Sequence, residues 1–319
     1  MPLSLTQRSK PRDQPSSAFS DAANPQARWA EASARNLLKS SARTSALSPR
    51  AILLFDIDGV IRDVSASYRR AIVETVHYFC DWRPEPGVID ALKSEGCWNN
   101  DWHASAELIR RHRADLGDRS PLPPLTELVE VFGGFYFGGD PNGDPSQWRG
   151  FIGDEPLLVD GACFERLTAR GIAWGFVSGA EPPSCRFVLE TRLGLADPPL
   201  IAMGDAPDKP DPLGLISLAR RLAAQGGGAD LGPDGPPVAY LGDTVADVET
   251  VVRARGQRPD QRWLSLAVAP PHLRLPGAEA ARQHYEQALR TAGADRVLLS
   301  SGDCQQELEA LLAADGIEN

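Results

Sequence analysis

Two aspartates close an apolar run at residues 53–63, LLFDIDGVIRD, and a glycine follows them at once. Two carboxylates held ~4 Å apart repel by about 1–4 kcal/mol, at effective dielectrics between ~80 and ~20, unless a cation sits between them. Asp56 and Asp58 therefore ask for a metal ion or a lysine. Three other short stretches carry groups of matching use: Ser178 and Gly179 in FVSGAEPP, Lys209 in GDAPDKPDP, and Asp243 with Asp247 in YLGDTVADVE. Each has an ordinary structural reading on its own. A strand-end Asp forms turns or caps helices, Ser-Gly can start a helix, a loop lysine is solvated, and Asp243 and Asp247 can complement a helix dipole.

The elements between them remove that independence. Short apolar runs at 51–55, 172–177, 199–203, 237–241, 262–268 and 296–300 read as buried strands. Helical patterns fall at 160–170, 182–193, 212–224, 245–255, 278–292 and 303–314. This alternation predicts a doubly wound α/β core, a parallel sheet covered on both faces. In such sheets ligands bind beyond the carboxyl ends of the strands. All four groups fall there, after four successive strands, in sequence order.

One interruption separates the first strand from the second. Apolar residues recur at helical spacing through Tyr68, Ile72, Val76 and Phe79, then Val88, Ile89 and Leu92, then Trp102, Ala106 and Ile109, then Leu125, Leu128, Val129 and Phe132. The pattern predicts a helical insert over 64–158. Gly133, Gly134, Gly138 and Gly139, with PNGDPSQ, read as a flexible exit, and Arg62 with Asp63 as the opposite hinge. Residues 49–63 and 159–319 are left for the core.

The chain has 319 residues, 42% of them hydrophobic, enough for a packed core. Its net charge of -10 argues against nucleic acid or an anionic membrane as a partner. The first fifty residues differ, with eight Lys/Arg against three Asp/Glu. Residues 1–48 read as a disordered tail, an organelle transit peptide being the alternative. The five cysteines form no C-x-x-C pair and no cysteine-histidine zinc spacing, which suits a reducing, cytoplasmic setting. With a transit peptide the setting would be an organelle stroma or matrix. No run is long enough for a membrane helix.

The order D-x-D-G, Ser-Gly, Lys-Pro, G-D-x-x-x-D resembles the haloacid dehalogenase superfamily over about residues 51–300. The helical insert after the first strand is similar to its subfamily I with a small helical cap, the branch of phosphoglycolate phosphatases and β-phosphoglucomutases. The resemblance implies a Rossmann-like core and phosphoryl transfer. Asp56 would be the nucleophile, forming an aspartyl-phosphate, and Asp58 the acid and then the base. Asp56, Asp58 through its backbone carbonyl, and Asp243 would hold Mg²⁺, with Asp247 supporting them. Ser178, the amides of Gly179 and Ala180, and Lys209 would hold the phosphoryl oxygens.

A phosphatase acting on a small phosphorylated metabolite is thus expected. A phosphomutase of the β-phosphoglucomutase type has the same motifs, and a non-catalytic sugar-phosphate binder is the alternative of another class. A phosphonatase would need a cap lysine, for which only Lys93 is available between 62 and 158. Dehalogenation would leave Asp58 idle. Specificity in capped enzymes lies largely in the cap, where Trp98, Asn99, Asn100, Trp102 and His103 are the candidates beside ordinary packing and turn roles. Arg69, Arg70, Arg110 and Arg111 are candidates for a second anionic group. The sequence does not address oligomeric state.

Overall fold

The computed structural model describes residues 48–94, 98, 100–225 and 230–314, with the backbone alone for Asp90, Lys93 and Ser94. The tail proposed for 1–48 lies outside these residues except for its last position, as do Cys97 and Asn99. Six strands form one parallel sheet in the order β3-β2-β1-β4-β5-β6. They are β1 (Ala51–Phe55), β2 (Ile172–Val177), β3 (Leu200–Ile201), β4 (Val238–Gly242), β5 (Trp263–Val268) and β6 (Arg296–Leu298). β1 lies in the middle, with Leu54 opposite Gly175 of β2 on one side and opposite Tyr240 of β4 on the other.

The unbroken apolar run of β1 follows from burial on both faces. Leu53 and Phe55 enter one apolar cluster while Ile52 and Leu54 enter another. The first cluster takes Phe164 and Leu167 of α5 (Gly161–Ala169) and Leu308 and Leu312 of α10 (Cys304–Ala314); the second takes Leu215 and Leu218 of α7 (Leu213–Ala223) and Val251 of α8 (Val245–Gln257). α9 (Glu279–Ala292) packs Leu289 against Val248 and Ala267.

The edge strands are shorter than their sequence patterns. β3 pairs at Leu200 and Ile201 alone, and Met203 then turns its N–H to Ala180 O at 3.0 Å, leaving the ladder. At the other edge β6 ends at Leu298, and Ser300 N–H is bound by Asp303 at 3.0 Å as the next helical turn starts. The helix expected over 182–193 begins as α6 (Pro182–Arg186) and continues as a wider, π-helical turn over Phe187–Arg192.

Between β1 and β2 the chain forms α1 (Ser67–Cys80), α2 (Pro86–Ser94), α3 (Asp101–Asp115) and α4 (Leu125–Tyr136). Ala71, Ile72 and Val76 of α1, Leu108 and Ile109 of α3, and Leu128 and Phe132 of α4 are buried in a cluster that runs without a break, through Ile57, Val60 and Ile61, into the sheet. The chain enters and leaves this insert side by side. Asp63 N–H donates to Pro156 O and Leu158 N–H to Ile61 O, each at 2.8 Å.

The glycine-rich exit differs from expectation. Gly133 and Gly134 lie inside α4. Gly138, at φ 65°, meets the chain where it passes again: a Cβ there would stand 2.2 Å from Gly150 N. The glycine permits a close backbone crossing, closed by Gly150 N–H to Phe137 O at 2.9 Å, and not a free hinge. Arg62, expected at the opposite hinge, is fully buried.

Candidate active site

The sheet order reverses between β1 and β4, and a crevice opens at the carboxyl ends of strands at such a switch point. Asp56 follows β1 there and Asp243 follows β4, and the Asp56 N–H is tied to Leu241 O at 2.8 Å. Gly59, at φ 75°, turns the chain against Asp243; a Cβ on it would lie 2.0 Å from Asp243 Oδ2. Only glycine permits that approach. Asp56, Asp243 and Asp247 are all buried, and each offers an oxygen within 4.8 Å of those of the other two.

Lys209 Nζ bridges two of these carboxylates, 2.9 Å from Asp56 Oδ2 and 2.6 Å from Asp247 Oδ1. It also donates to the Tyr240 hydroxyl at 3.3 Å, which in turn donates to Val177 O at 2.8 Å. Pro212 stands at the N-cap of α7 and not at its first helical position, and Asp211 accepts the Leu213 N–H at 2.9 Å.

Asp247 is fixed from its other side as well. Its Oδ2 accepts from Thr244 N–H at 2.9 Å and from Thr244 Oγ1 at 2.6 Å, completing a capping box at the start of α8. Both oxygens of Asp247 are thus engaged, whereas Asp56 Oδ1 is buried with no hydrogen-bond partner. The Asp58 carboxylate stands apart from this group. It turns to Arg62, whose Nε donates to Asp58 Oδ1 at 2.7 Å.

Ser178 follows β2 and is buried; its N–H donates to Ile201 O at 2.9 Å and its Oγ accepts from Ala180 N–H at 3.2 Å. A Cβ on Gly179 would meet nothing within 4 Å, so the loop faces open space there. Ser178, Gly179, Asp208 and Lys209 line one small cleft. A larger cavity of about 520 Å³, lined by Asp160, Cys163, Arg166 and Arg192 among others, holds none of the strand-end residues.

The charges follow from burial and proximity. Burial pushes the Asp56 carboxyl up to about 6, with Lys209 pulling it down and Asp247 and Asp58 pushing it further up. Burial, then Asp247 and Asp56, hold Asp243 well above the usual range. For Asp247 burial also raises, but Lys209 and the Thr244 hydrogen bonds outweigh it and hold the group low. Lys209 is pushed down by burial, yet Asp247 and Asp56 keep it well above its ordinary value.

One lysine against three buried carboxylates leaves an excess of negative charge, and Asp56 Oδ1 has an open coordination position. A hard divalent cation fits this all-oxygen set. A consequence can be read in stability. Because the Asp56 pKa is raised on folding, its contribution is full below pH 3.8 and is lost as pH rises through about 6, a change of about 3 kcal/mol. The Tm of the metal-free protein, less that of Asp56→Asn, should fall across that window. A divalent cation bound by these carboxylates would raise the wild-type Tm more at neutral pH than at the acid end, where they are protonated. A difference that stays flat with pH would show that burial does not raise the Asp56 carboxyl on folding.

The candidates on the insert are placed less closely. Asn100 caps α3, accepting the His103 N–H at 3.0 Å, and His103 is exposed. Trp98 and Trp102 are partly buried against the main apolar cluster. Arg110 and Arg111 both reach Glu107 at 2.7 Å, and Arg70 lies 4.0 Å over the Phe151 ring. Four residues at or near the site were not read as site residues from the sequence: Arg62, read only as part of a hinge, Tyr240, Thr244 and Tyr285, whose hydroxyl donates to Asp243 O at 3.0 Å. Only Thr244 had a local signal, the T-x-x-D spacing of a capping box.

A doubly wound parallel sheet with acid groups gathered at its switch point places the chain in the α/β class, and its family can be stated. A family profile described as haloacid dehalogenase-like hydrolase matches residues 51–255, and the chain belongs to that family. The helical insert sits between β1 and β2, as the resemblance to the subfamily with a small helical cap implied. Over 212 aligned positions, covering 63% of this chain and 41% of the other, the chain is 31% identical to an imidazoleglycerol-phosphate dehydratase of Phytophthora nicotianae.

Among solved structures, a phosphatase from Thermococcus thioreducens superposes with a TM-score of 0.51 at 22% identity, covering 75% of this chain and 99% of its own. A phosphonoacetaldehyde hydrolase-like protein from Oleispira antarctica gives 0.56 at 18% identity, covering 87% and 98%. At these identities the likeness is one of fold. No described helix is long and apolar enough to cross a membrane.

Proposed function

We propose that this hydrolase is a Mg²⁺-dependent phosphatase of small phosphomonoesters, working through an aspartyl-phosphate on Asp56. The observation that carries the reading is the state of Asp56: buried at the switch point, one oxygen held by Lys209 and the other without a partner. Asp56 attacks phosphorus, the ester P–O bond breaks, and its electron pair stays on the leaving oxygen. That oxygen takes the Asp58 proton. Water then attacks the phosphorus and gives a proton to the Asp58 carboxylate, and the second broken bond returns its electrons to Asp56.

Lys209, Ser178 and the Gly179 amide hold the phosphoryl oxygens, so that charge is met in place by fixed donors. Asp56, Asp243 and the Asp58 carbonyl would hold Mg²⁺, with Asp247 fixing Lys209 beside them. The ion supplies charge neutralisation and orientation of a phosphate oxygen. Residues 64–158 act as the cap, and Trp98, Asn99, Asn100, Trp102 and His103 are its candidate specificity positions. The capping role of Asn100 already accounts for that residue structurally.

Phosphate release should be measured from p-nitrophenyl phosphate and a panel of phosphorylated metabolites, with Mg²⁺ and with chelator. The panel should include imidazole-bearing phosphomonoesters, since the curated relative is named for imidazoleglycerol phosphate. Mg²⁺-dependent release is expected. Isomerised product without free phosphate would assign a mutase instead, and no turnover of any ester would assign a binding protein.

A further inference from the structure

Arg62 is an expensive residue. Its side chain is wholly buried, and an arginine out of water is costly unless its charge is met by partners. Here three partners meet it. Nε donates to Asp58 Oδ1 at 2.7 Å and NH2 donates to Ser184 Oγ at 2.7 Å, while NH1 and Glu155 Oε2 meet as an ion pair at 3.1 Å without hydrogen-bond geometry. Those partners come from separate segments: the turn after β1, α6 behind the Ser178 loop, and the segment by which the chain returns from the insert.

Glu155 is itself held. Its Oε1 accepts from Ser67 Oγ at 2.5 Å and from the Tyr136 hydroxyl at 3.1 Å, so the first residue of α1 and the last of α4 join the same network. Burial raises the Glu155 carboxyl, with Arg62 opposing. Every member of this network is buried except Asp58, whose side chain is 28% exposed. The exposed end is the carboxylate two residues from Asp56. Its Oδ1 is taken by Arg62, and Oδ2 receives no hydrogen bond from a described residue.

We propose that Arg62 is a positioning residue that aims the Asp58 carboxylate, fixing Oδ1 so that Oδ2 faces the leaving oxygen of the substrate. The inference rests on the reading of Asp58 as the group that exchanges a proton with that oxygen. A planar fork anchored at Glu155 and Ser184 fixes the direction of Nε, and an ammonium on a flexible stem would not. Arg62 does not touch the substrate. It acts through Asp58, and its effect follows how much the leaving group needs a proton.

That dependence is the test. kcat/KM reports the steps through loss of the leaving group and leaves out hydrolysis of the phosphoenzyme. It should be measured on p-nitrophenyl phosphate, which departs readily without a proton, and on 2-phenylethyl phosphate, which does not. Arg62→Lys should lose about 10²-fold on the alkyl ester, within the range of proton-transfer catalysis, and less than about tenfold on the aryl ester. Ser184→Ala removes one anchor and keeps the charge balance; it should show the same asymmetry at about fivefold on the alkyl ester, by partial loss of orientation.

Asp58→Asn is the control. If it loses equally on both esters, Asp58 is no proton donor and the underlying reading fails. If it shows the asymmetry while Arg62→Lys and Ser184→Ala lose equally on both, the reading stands and the positioning role is overturned. Should Arg62→Lys fail to fold, Ser184→Ala decides the question by the same two outcomes.

Discussion

Asp56→Asn is expected to abolish phosphate release, by more than ~10³-fold in kcat, while melting no lower than the wild type in metal-free buffer at neutral pH. The first half follows from removing the attacking oxygen without changing volume. The second follows from the surroundings of that oxygen: Asp56 is buried, raised by desolvation, and stands among Asp243, Asp247 and Asp58. Neutralising it relieves repulsion, against which the loss of its contact with Lys209 at 2.9 Å must be set. Rate and thermal melting on one preparation check both halves. Activity within tenfold of wild type would sink the aspartyl-phosphate mechanism; an inactive variant with a much lower Tm would say that Asp56 is held mainly as the partner of Lys209.

Lys209→Met should be the most damaging change to stability. The lysine meets Asp56 and Asp247 at once and is mostly buried. Removing one partner of a buried pair strands the other, at about 3–5 kcal/mol, which for a chain of this size is on the order of 10 °C in Tm. Here two carboxylates are stranded beside a third. Turnover should fall by ~10²-fold or more, as for other lost donors to a transferring group. Adding Asp247→Asn should return part of the lost stability and none of the lost rate, because the two residues are coupled in the fold but do different work. Additive losses of Tm in the double variant would refute the coupling, and an unchanged kcat/KM for Lys209→Met would take it out of the phosphate site.

The parts of the site that were legible in the sequence are those set by local pattern. β1, β2, β4 and β5 show as apolar runs because both faces of the sheet are covered, and the residue after each strand is fixed by where its run stops. That alone placed Asp56, Ser178 and Asp243, and the loop after β3 placed Lys209. Arg62 was read only as part of a hinge, because its partners Glu155 and Ser184 lie 93 and 122 residues further on. Tyr240 was hidden within a strand whose apolar run explained it fully. Gly133 and Gly134 suggested a loop, yet packing of Leu128, Phe132 and Tyr136 carries α4 through them. Cys163 and Cys304, scattered by their numbering, are both buried in the main apolar cluster.

The side-by-side passage of the chain into and out of the insert has a consequence for how freely that insert can vary. With Asp63 tied to Pro156 and Ile61 to Leu158, everything between is a loop whose closure is already secured by the sheet-side pairing. Closure entropy grows only with the logarithm of loop length, about 0.6 kcal/mol for each doubling. Residues added to or removed from the exposed turn at 116–124 therefore tax the fold lightly, and the register that seats Asp56 and Asp58 does not shift with them. The insert can be remodelled in length and shape while the crevice at the strand ends keeps the same geometry.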